Sequence, residues 1–465
     1  MKIEIPEKVS YIISTLNQHG YEAYAVGGCV RDIILNRKPG DWDITTSARP
    51  FEVKSVFRRT VDTGIDHGTV TVMLDKDGFE VTTYRIDGQY LDNRHPESVQ
   101  FTSSLLEDLK RRDFTMNAMA YHPRIGIVDA FHGMDDLKNK TIRCVGDPGA
   151  RFDEDALRML RAVRFSAQLG FTIDEATCDA IRMRVRNLLD ISAERIQTEL
   201  VKLLISSNPD YIHRAYELGI TSVVMPEYDR IVGVRQNTPN HVYSVDKHTL
   251  IALKNIENQP ILRLTMLLHD FGKPIVRHVR EDGTDSFYKH PEVGASMARK
   301  ILKRLKFDNY TLDRVTRLVK WHGLKYDPTP VCVRRALNRV GADLFDDFMK
   351  VQRADIFAKN PVLVPFKLDL LRKKSLIYHK VMEEGQCFEI KKLAVNGQDL
   401  KDFGIPQGRK IGAVLDRLVE WVIDDQSLNT KSQLLMIAGK IQDDPSIFEE
   451  KDYFFMDSKP ISKSI

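Results

Sequence analysis

The chain has 465 residues, of which 42% are hydrophobic and 29% are charged. These fractions are close to those of globular proteins, and they exclude a fibrous repeat and wholesale disorder. Lys and Arg total 69 against 65 Asp and Glu, a net charge of +4 that neither requires nor excludes a polyanionic partner. At roughly 150 residues per domain, the length predicts about three domains.

Membrane and secreted classes are not expected. No apolar run approaches the roughly 18 residues of a membrane-spanning helix, and the first ten residues lack the apolar region of a secretory signal. The five cysteines are scattered without a CxxC pair, which is typical of free thiols and not of a disulfide framework or a zinc knuckle. We therefore expect a cytoplasmic protein.

Short helices and strands alternate over the first 145 residues. Apolar residues at helical spacing predict a first helix that Gly20 ends, and Pro50 is typical of the first residue of another helix. Four strands are predicted, at 21–26, 41–46, 69–74 and 79–85. The last two are expected to form a hairpin around residues 76–78. The pattern predicts a small mixed α/β domain.

Helical periodicity dominates after this domain. A Pro-, Asn- and Arg-rich stretch at 226–242 and a Pro-containing break at 359–366 indicate two further boundaries. We therefore predict an α+β protein of four parts. They are a mixed α/β head (1–145), a helical neck (146–235), an all-α domain (236–360) and a helical C-terminal region (361–465).

Two acidic residues in the head suggest a metal site. Asp41 and Asp43 lie two residues apart on a predicted strand, so both carboxylates should project from the same face. Glu80, on a neighbouring predicted strand, could supply a third carboxylate. Such oxygens suit Mg²⁺, and two ions can bracket an attacking hydroxyl and a leaving phosphate. A bare DxD pair is nevertheless common among solvated surface acids.

A phosphate cradle is predicted upstream of Asp41. Gly27 and Gly28 join a strand to a helix, and Arg31 and Asp32 follow directly. Glycine lets backbone N–H groups approach a phosphate closely, and a helix N-terminus adds a positive field. A cradle of this kind beside a metal pair is what nucleotidyl transfer requires.

A basic cluster lies further along, in the segment KRRDFTMNAM at 110–119. Its spacing predicts one helix that carries Arg111, Arg112, Asp113 and Asn117. The alternative is an amphipathic core helix whose basic end is solvated.

Four segments, in this order, resemble the successive motifs of class II tRNA nucleotidyltransferases, the CCA-adding enzymes of the DNA polymerase β superfamily. They are residues 25–50, 110–118, 154–165 and 194–200. The resemblance implies a polymerase-β-like nucleotidyltransferase head. It also implies Mg²⁺-dependent transfer of CMP and AMP from CTP and ATP to a tRNA 3′ end, without a template and with release of pyrophosphate.

The resemblance also assigns roles by position. Asp41 and Asp43 would hold the metal ions. The triphosphate would be cradled by Gly27, Gly28, Arg31 and Asp32. Ribose and phosphate contacts would come from Arg111 and Asn117.

The third segment suggests how a protein could choose between bases. Glu154, Asp155 and Arg158 are predicted within one helical turn, with Asp155 and Arg158 as i,i+3 neighbours; an ordinary surface salt bridge is the alternative. Cytosine and adenine each present an amino donor beside a ring-nitrogen acceptor. An ionised Asp only accepts and an Arg only donates, so the pair matches C and A and mismatches U and G.

The resemblance assigns base reading to the EDxxR motif of the family. We therefore predict that Asp155 and Arg158 read the base in the neck and that Glu154 orients them. The predicted nucleotide site also includes Arg161.

A mobile lid is predicted over 85–101. In the family, a flexible loop at this place is needed to incorporate A. The presence of this segment therefore argues against a CC-only enzyme, but it does not separate CCA addition from A addition.

A second constellation surrounds His269-Asp270, which follows an apolar helical stretch. Further candidate ligands are His248, His290, His322 and Asp355. The order H…HD…H…H…D resembles the HD phosphohydrolase superfamily over about 240–360. Imidazole and carboxylate suit several divalent metals, so the identity of the metal stays open. Two neighbouring ions could activate water for phosphoester hydrolysis.

We therefore predict a CCA-adding tRNA nucleotidyltransferase with an HD domain and an RNA-binding C-terminal region. Its partners would be tRNA, CTP and ATP, and no DNA or membrane partner is expected. An A-adding tRNA nucleotidyltransferase and a poly(A) polymerase remain as alternatives built on the same head. A metal-dependent HD phosphohydrolase whose head only docks RNA is an alternative of a different class.

Overall fold

The structure is a computed structural model that describes residues 4–88 and 99–443. Its N-terminal part is a mixed α/β head, as predicted. The strands of the head are β1 (Ala23–Val26), β2 (Asp43–Thr46), β3 (Thr60–Gly64), β4 (Thr69–Leu74), β5 (Asp77–Thr83), β6 (Arg85–Asp87), β7 (Val99–Phe101), β8 (Met119–His122), β9 (Gly126–Asp129) and β10 (Thr141–Ile142). Its helices are α1 (Glu7–Gln18), α2 (Gly28–Ile34), α3 (Pro50–Val56), α4 (Leu105–Lys110) and α5 (Gly133–Lys138).

A seven-stranded sheet organises the head in the order β3-β4-β5-β2-β1-β8-β9. Its neighbours are antiparallel except β2 and β5, which pair in parallel with Asp43 opposite Glu80. Strand β1 is buried along its whole length, as expected for an apolar run at the centre of a sheet. The sheet therefore brings the end of β1 and the start of β2 to the place where the predicted site residues lie.

Several predicted strand boundaries in the head are wrong by two residues: the strand expected at 21–26 begins at Ala23, and the one expected at 79–85 spans Asp77–Thr83. The strand expected at 41–46 begins only at Asp43, so Asp41 lies in the segment before it. In the hairpin, Leu74 pairs with Asp77, so the turn consists of residues 75 and 76 and not of 76–78. Asp75 takes the left-handed conformation (φ 58°), which Asp tolerates better than most residues because its short side chain can bond locally.

Helices form most of the remaining chain. In the neck they are α6 (Pro148–Glu154), α7 (Leu157–Leu169), α8 (Glu175–Arg184), α9 (Ala193–Leu204), α10 (Ile212–Glu217), α11 (Ile220–Val224) and α12 (Pro226–Asp229), with the short strand β11 (Thr172–Ile173) beside β10. The third part contains α13 (Val245–Lys254), α14 (Pro260–Leu268), α15 (Lys273–Val276), α16 (His290–Arg304), α17 (Asn309–Trp321), α18 (Pro330–Val340) and α19 (Phe345–Phe357).

The third part is helical apart from the two-residue strands β12 (His278–Val279) and β13 (Asp285–Ser286). The C-terminal region contains α20 (Val364–Glu383), α21 (Gly397–Asp402), α22 (Arg409–Asp424) and α23 (Lys431–Asp443). Single 3₁₀ turns lie at Ile65–His67, Thr115–Asn117, Val185–Asp190, Pro209–Tyr211, Pro361–Leu363, Ile390–Lys392 and Gln426–Leu428.

One cluster of buried apolar side chains runs from α1 through the neck to α19. Two further clusters join α18, α20 and α22 and then α21 to α23. Head, neck and third part therefore share packed side chains, and the predicted boundaries between the four parts stay predictions.

Most of the predicted lid, residues 89–98, lies outside the described residues. Its flanking strands β6 and β7 form an antiparallel pair apart from the main sheet. Across the described ranges, no helix combines the length and the apolar character needed to cross a bilayer.

Candidate functional site

Three carboxylates lie at one end of the β2–β5 pair. Asp43 begins β2, and Glu80 lies directly opposite on β5. Paired residues of neighbouring strands project to the same face of a sheet. Asp41 lies two residues before Asp43 and is exposed. Contrary to the prediction, it is not on the strand, because the backbone ladder of β2 begins only at Asp43.

Asp41 raises the pKa values of the other two acids, Asp43 and Glu80. Although solvent reaches the side chain of Asp43, the surrounding protein removes much of its hydration and so raises the pKa of its carboxyl; Arg112 opposes this shift and Asp41 adds to it. Burial, Asp43 and Asp41 likewise raise the pKa of Glu80. Ionised together, these groups repel, and a divalent cation among hard oxygen ligands would relieve the repulsion. The residues therefore fit Mg²⁺.

The residues predicted for the phosphate cradle lie around the turn between β1 and α2. Gly27 has φ +83°, and a Cβ there would lie 2.9 Å from Nη1 of Arg112, so glycine lets this guanidinium reach the turn. Arg31 donates from Nη1 to Oδ1 of Asn117 (2.6 Å) and from Nε to Oδ1 of Asp32 (2.9 Å). Gly27, the guanidinium groups of Arg31 and Arg112, and the amide of Asn117 therefore lie together at this turn, next to the three acids.

The segment 110–119 is not one helix. Helix α4 ends at Lys110, and a 3₁₀ turn begins only at Thr115. Arg111 donates to Asp108 through Nε (3.0 Å) and Nη2 (2.7 Å). The sequence interpretation selected Arg111 as the nucleotide contact and not Arg112. It placed both residues on one helix, where neighbouring side chains point in different directions, whereas in the structure both residues follow the end of α4.

Asp113 links the cradle to the neck. Its Oδ1 accepts from the Nδ2 of Asn117 (3.1 Å), and its Oδ2 accepts from Nε (2.9 Å) and Nη2 (2.6 Å) of Arg161. Burial favours the neutral acid, but Arg161 and Asn117 outweigh it and hold the pKa of Asp113 below its usual value. Arg161, predicted to contact the nucleotide, therefore holds Asp113, and a chain of polar contacts runs from Arg31 into α7.

The predicted placement of Glu154, Asp155 and Arg158 within one helical turn is wrong. Helix α6 ends at Glu154 and α7 begins at Leu157, with Asp155 extended between them (φ −142°). The carboxylate of Asp155 caps α7 by accepting from the backbone N–H of Leu157 (3.1 Å). Its Oδ2 accepts from Nη2 of Arg195 (2.8 Å).

Glu154 holds Arg158 instead, with Oε2 2.5 Å from Nη1. This contact agrees with the predicted orienting role of Glu154, although it reaches only one of the two base readers. The orienter of Asp155 is Arg195, from the fourth motif segment at 194–200. An acceptor and a donor are therefore fixed by separate partners, which the i,i+3 spacing could not indicate.

The six residues predicted for the second constellation converge. His248, His269 and Asp270 form one group of possible metal ligands, and Asp270, His290 and His322 form another; within each group the ligand atoms all lie within 4.8 Å of one another. Asp355 joins the first group, with Oδ1 3.0 Å from Nε2 of His248.

The four imidazoles are oriented in the same way. Each Nδ1 lies 2.7 to 2.9 Å from a backbone carbonyl, of Ala358, Met266, Phe287 and Val319 for His248, His269, His290 and His322 in turn. A carbonyl only accepts, so Nδ1 carries the proton and Nε2 presents its lone pair to the cluster. This is the arrangement of metal-binding histidines. Burial also lowers the pKa of His290 to about 4, which keeps this imidazole neutral.

Asp270 lies between the two groups. Its Oδ2 is 3.1 Å from Nε2 of His269, and its Oδ1 is 3.5 Å from Nε2 of His290. Burial would raise the pKa of Asp270, but His269 and Lys273 hold it well below its usual value. One oxygen facing each group fits two neighbouring metal ions that share this carboxylate.

Sequence reasoning missed His241 at this centre. Its ring lies 5.2 Å from that of His248, and its Nδ1 is 2.9 Å from Oγ1 of Thr238. Burial and the charge of Lys273 lower the pKa of His241 to about 2. The residue falls in the Pro-rich stretch 226–242, where a boundary was predicted, so no periodic pattern pointed to it.

Known proteins share this arrangement along the chain. Three described families match: the Poly A polymerase head domain at residues 23–143, the probable RNA and SrmB-binding site of polymerase A at 170–232, and the HD domain at 240–358. A CCA-adding enzyme of Levilactobacillus brevis is 35% identical over 91% of this chain and 95% of its own length. The chain belongs to the CCA-adding enzyme family.

Other members of this family agree in sequence or fold. The CCA-adding enzyme of Oceanobacillus iheyensis is 42% identical over 59% of this chain and 68% of its own length. The crystal structure of the Bacillus stearothermophilus CCA-adding enzyme in complex with CTP superposes with a TM-score of 0.70 at 29% identity, covering 97% of this chain and all of that one. The Thermotoga maritima CCA-adding enzyme complexed with tRNA, at 20% identity and a TM-score of 0.57, shares the fold over 94% of this chain and 96% of its own.

Neutralising Asp43 should stabilise the metal-free protein. A carboxyl whose folded-state pKa is raised contributes stability below its unfolded pKa and loses it as the pH rises through the folded value. At neutral pH in chelator we therefore expect Asp43→Asn to have a higher Tm than the wild type. Added Mg²⁺ should raise the Tm of the wild type more than that of the variant, because the variant binds the ion less well.

Asp62→Asn is the matched control. Asp62 also lies in the head, is half-exposed and pairs with Lys54 (2.9 Å). It should change neither Tm nor the response to Mg²⁺, because surface ion pairs contribute little. A Tm of Asp43→Asn equal to or below that of the wild type in chelator would contradict the electrostatic account.

Removing the partner of Asp155 should loosen base selection. In Arg195→Ala the carboxylate of Asp155 loses its 2.8 Å donor and can rotate. We expect incorporation of UMP and GMP relative to CMP and AMP to rise about tenfold, since a misplaced acceptor no longer penalises the wrong base fully. Single-turnover incorporation with each nucleotide measures this ratio.

Arg182→Ala is the comparison, because Arg182 lies on α8 and pairs at the surface with Glu175 and Asp179. Its discrimination should equal that of the wild type. Unchanged selectivity of Arg195→Ala would show that Asp155 does not depend on this contact.

Proposed function

We propose that this protein adds CMP and AMP from CTP and ATP to the 3′ end of tRNA and releases pyrophosphate. The observation that carries the proposal is the placement of Asp41, Asp43 and Glu80 beside the cations of the β1–α2 turn. Relatives that match this chain over nearly its whole length are CCA-adding enzymes.

In the mechanism we propose, the protein supplies position and charge. Divalent ions bound by the three acids would supply Lewis acidity at the terminal hydroxyl of the RNA and charge compensation at the departing pyrophosphate. Arg31, held by Asp32 and Asn117, and the neighbouring Arg112 neutralise triphosphate oxygens. The attacking oxygen belongs to the RNA, so no side chain acts as nucleophile.

Base choice is assigned to the neck. The carboxylate of Asp155 accepts from the amino group shared by C and A, and the guanidinium of Arg158 donates to the neighbouring ring nitrogen. Uracil and guanine would leave groups unpaired in a partly buried site, at a cost of about 1–3 kcal/mol each. The contacts with Arg195 and Glu154 support this role because they fix both readers before the nucleotide binds.

Incorporation assays separate this function from its alternatives. With tRNA that lacks CCA, we expect two C residues from CTP alone and completion only after ATP is added. Asp41→Asn should abolish both steps, because the acids no longer hold the metal. Addition of A only to a tRNA that already ends in CC would identify an A-adding enzyme, and long adenylate tails would identify a poly(A) polymerase.

A second activity, metal-dependent phosphoester hydrolysis, is proposed for the HD centre. The observation that favours it is the common orientation of four imidazoles and the shared Asp270 around one space. Divalent ions held there would supply an activated water. Asp270 and Asp355 stay ionised in this interior because the pKa of each is held well below its usual value, by His269 and Lys273 for Asp270 and by Lys359 and His248 for Asp355.

Metal content and hydrolysis test the HD centre together. We expect purified protein to bind a divalent metal and, with Mn²⁺ or Ni²⁺, to hydrolyse p-nitrophenyl phosphate or its bis-ester. Asp270→Asn should lose metal and hydrolysis but retain CCA addition, and Asp43→Asn should do the reverse, because the two centres use separate ligands. If Asp270→Asn kept its metal, the ligand assignment would be wrong. Hydrolysis without any extension of tRNA would favour the phosphohydrolase with a docking head.

The cytoplasmic location, the RNA-binding role of residues 361–465 and the limits of the four parts stay predictions.

A further inference from the structure

A cavity of about 400 Å³ adjoins the HD centre. His322 and Asp355, two of the proposed metal ligands, form one wall, and residues of the α17–α18 connection, α19 and α20 form the others. Cavities of this size hold small organic ligands. The cavity therefore extends the HD centre toward the C-terminal region.

Lysines dominate the polar lining of this cavity. They are Lys325, Lys359, Lys367 and Lys374. Lys359 pairs with Asp355. Among the residues that the structure describes, no carboxylate forms an ion pair with the other three lysines. Lys367 donates to Oδ1 of Asn240 (2.6 Å), and the ammonium of Lys374 lies 4.0 Å from the ring centre of Tyr326. The cavity carries one further acid, Asp327, so its lining is positive in sum.

Burial makes these charges costly. Loss of hydration, followed by the repulsion of Lys359, lowers the pKa of Lys367 to about 8. Burial also lowers the pKa of Lys374, which is only 8% exposed. Like charges gathered in a partly buried space are stabilised when an anion binds among them. The cavity is therefore suited to a multiply charged anion.

The spacing of the lysines indicates an elongated ligand. Lys359 lies beside Asp355, at the metal side of the cavity. Lys367 and Lys374 lie seven residues apart on α20, which corresponds to about 10 Å along the helix axis. Phe366, with 70% of its surface exposed, and Leu370 add apolar surface to the same lining. Separated cations next to an exposed aromatic ring match phosphate groups separated by a nucleoside.

We propose that this cavity binds a nucleoside with phosphate groups on both sides of its ribose, one at the HD centre beside Lys359 and one at Lys367. The inference rests on the proposed phosphohydrolase function. In the reaction, a water oxygen bonds to the phosphorus at the HD centre while the bond from that phosphorus to the ribose oxygen breaks. The proton of the water passes to the ribose oxygen, so inorganic phosphate and a nucleotide with its second phosphate are formed. A free nucleoside 3′,5′-bisphosphate and the 3′-phosphorylated end of an RNA both present this chemistry.

Calorimetric binding to the full chain tests the inference, with Mn²⁺ present and with chelator. The probes are guanosine 3′,5′-bisphosphate and guanosine 3′-monophosphate, because the proposed base readers of the neck reject guanine. Lys367→Gln should weaken binding of the bisphosphate about tenfold, because one charged hydrogen bond is lost. Binding of the monophosphate should not change. Lys367→Arg should retain binding of the bisphosphate. Lys380→Gln, at an exposed lysine of α20 that pairs with Glu384, is the matched control.

The outcomes separate the cavity from the activity. Equal weakening of the bisphosphate and the monophosphate by Lys367→Gln, or weakening of neither the bisphosphate nor an RNA that ends in a 3′-phosphate, would overturn the inference even if the protein hydrolyses phosphoesters. If Lys367→Gln weakens binding of the bisphosphate alone and the protein hydrolyses no phosphoester, the result would support the ligand proposed for the cavity and reject the phosphohydrolase function. A third probe, an RNA oligonucleotide that ends in a 3′-phosphate, identifies the source: a Lys367-dependent loss confined to it indicates an RNA end, and one confined to the bisphosphate indicates a free nucleotide.

Discussion

The ionised carboxylate of Asp113 is the contact on which the geometry of the nucleotide site depends. It is buried between the head and the neck, where it accepts hydrogen bonds from Asn117 of the head and from Arg161 of the neck. Removing one partner of a buried charge costs roughly 3–5 kcal/mol, because the remaining charge is left uncompensated. The same contact orients the amide of Asn117 so that its oxygen faces Arg31. The position of Arg31 in the head and that of α7 in the neck thus both depend on one side chain.

The pKa values of Asp43 and Glu80 in the head are shifted in the opposite direction from those of Asp270 and Asp355 in the HD centre. In the head, the surrounding protein and the neighbouring acids raise the pKa values of Asp43 and Glu80, so a bound cation would compensate their charges. The acids of the HD centre are buried among cations of the protein itself, which keep their pKa values low. The first site would therefore suit ions that bind together with a nucleotide, and the second would suit ions held as part of the protein.

Features with a local cause could be predicted from the sequence. Helix α1 and the β1–α2 turn follow from apolar spacing and from Gly27, and the HD ligands from their order along the chain. The errors arise where tertiary contacts decide. Asp155 leaves the helix because it caps α7 and pairs with Arg195, forty residues away. The segment 110–119 leaves the helix as Asp113 turns toward Arg161. His241 stayed unnoticed because a loop residue has no period to reveal it.

The continuous apolar cluster from α1 to α19 has a consequence for how such a protein can evolve. Shared packing means that neither catalytic unit ends in a polar surface where it meets the next. Removal of the HD part would expose apolar side chains of the neck to solvent and favour aggregation. Relatives that lose the metal ligands of the HD centre are therefore expected to keep its helices.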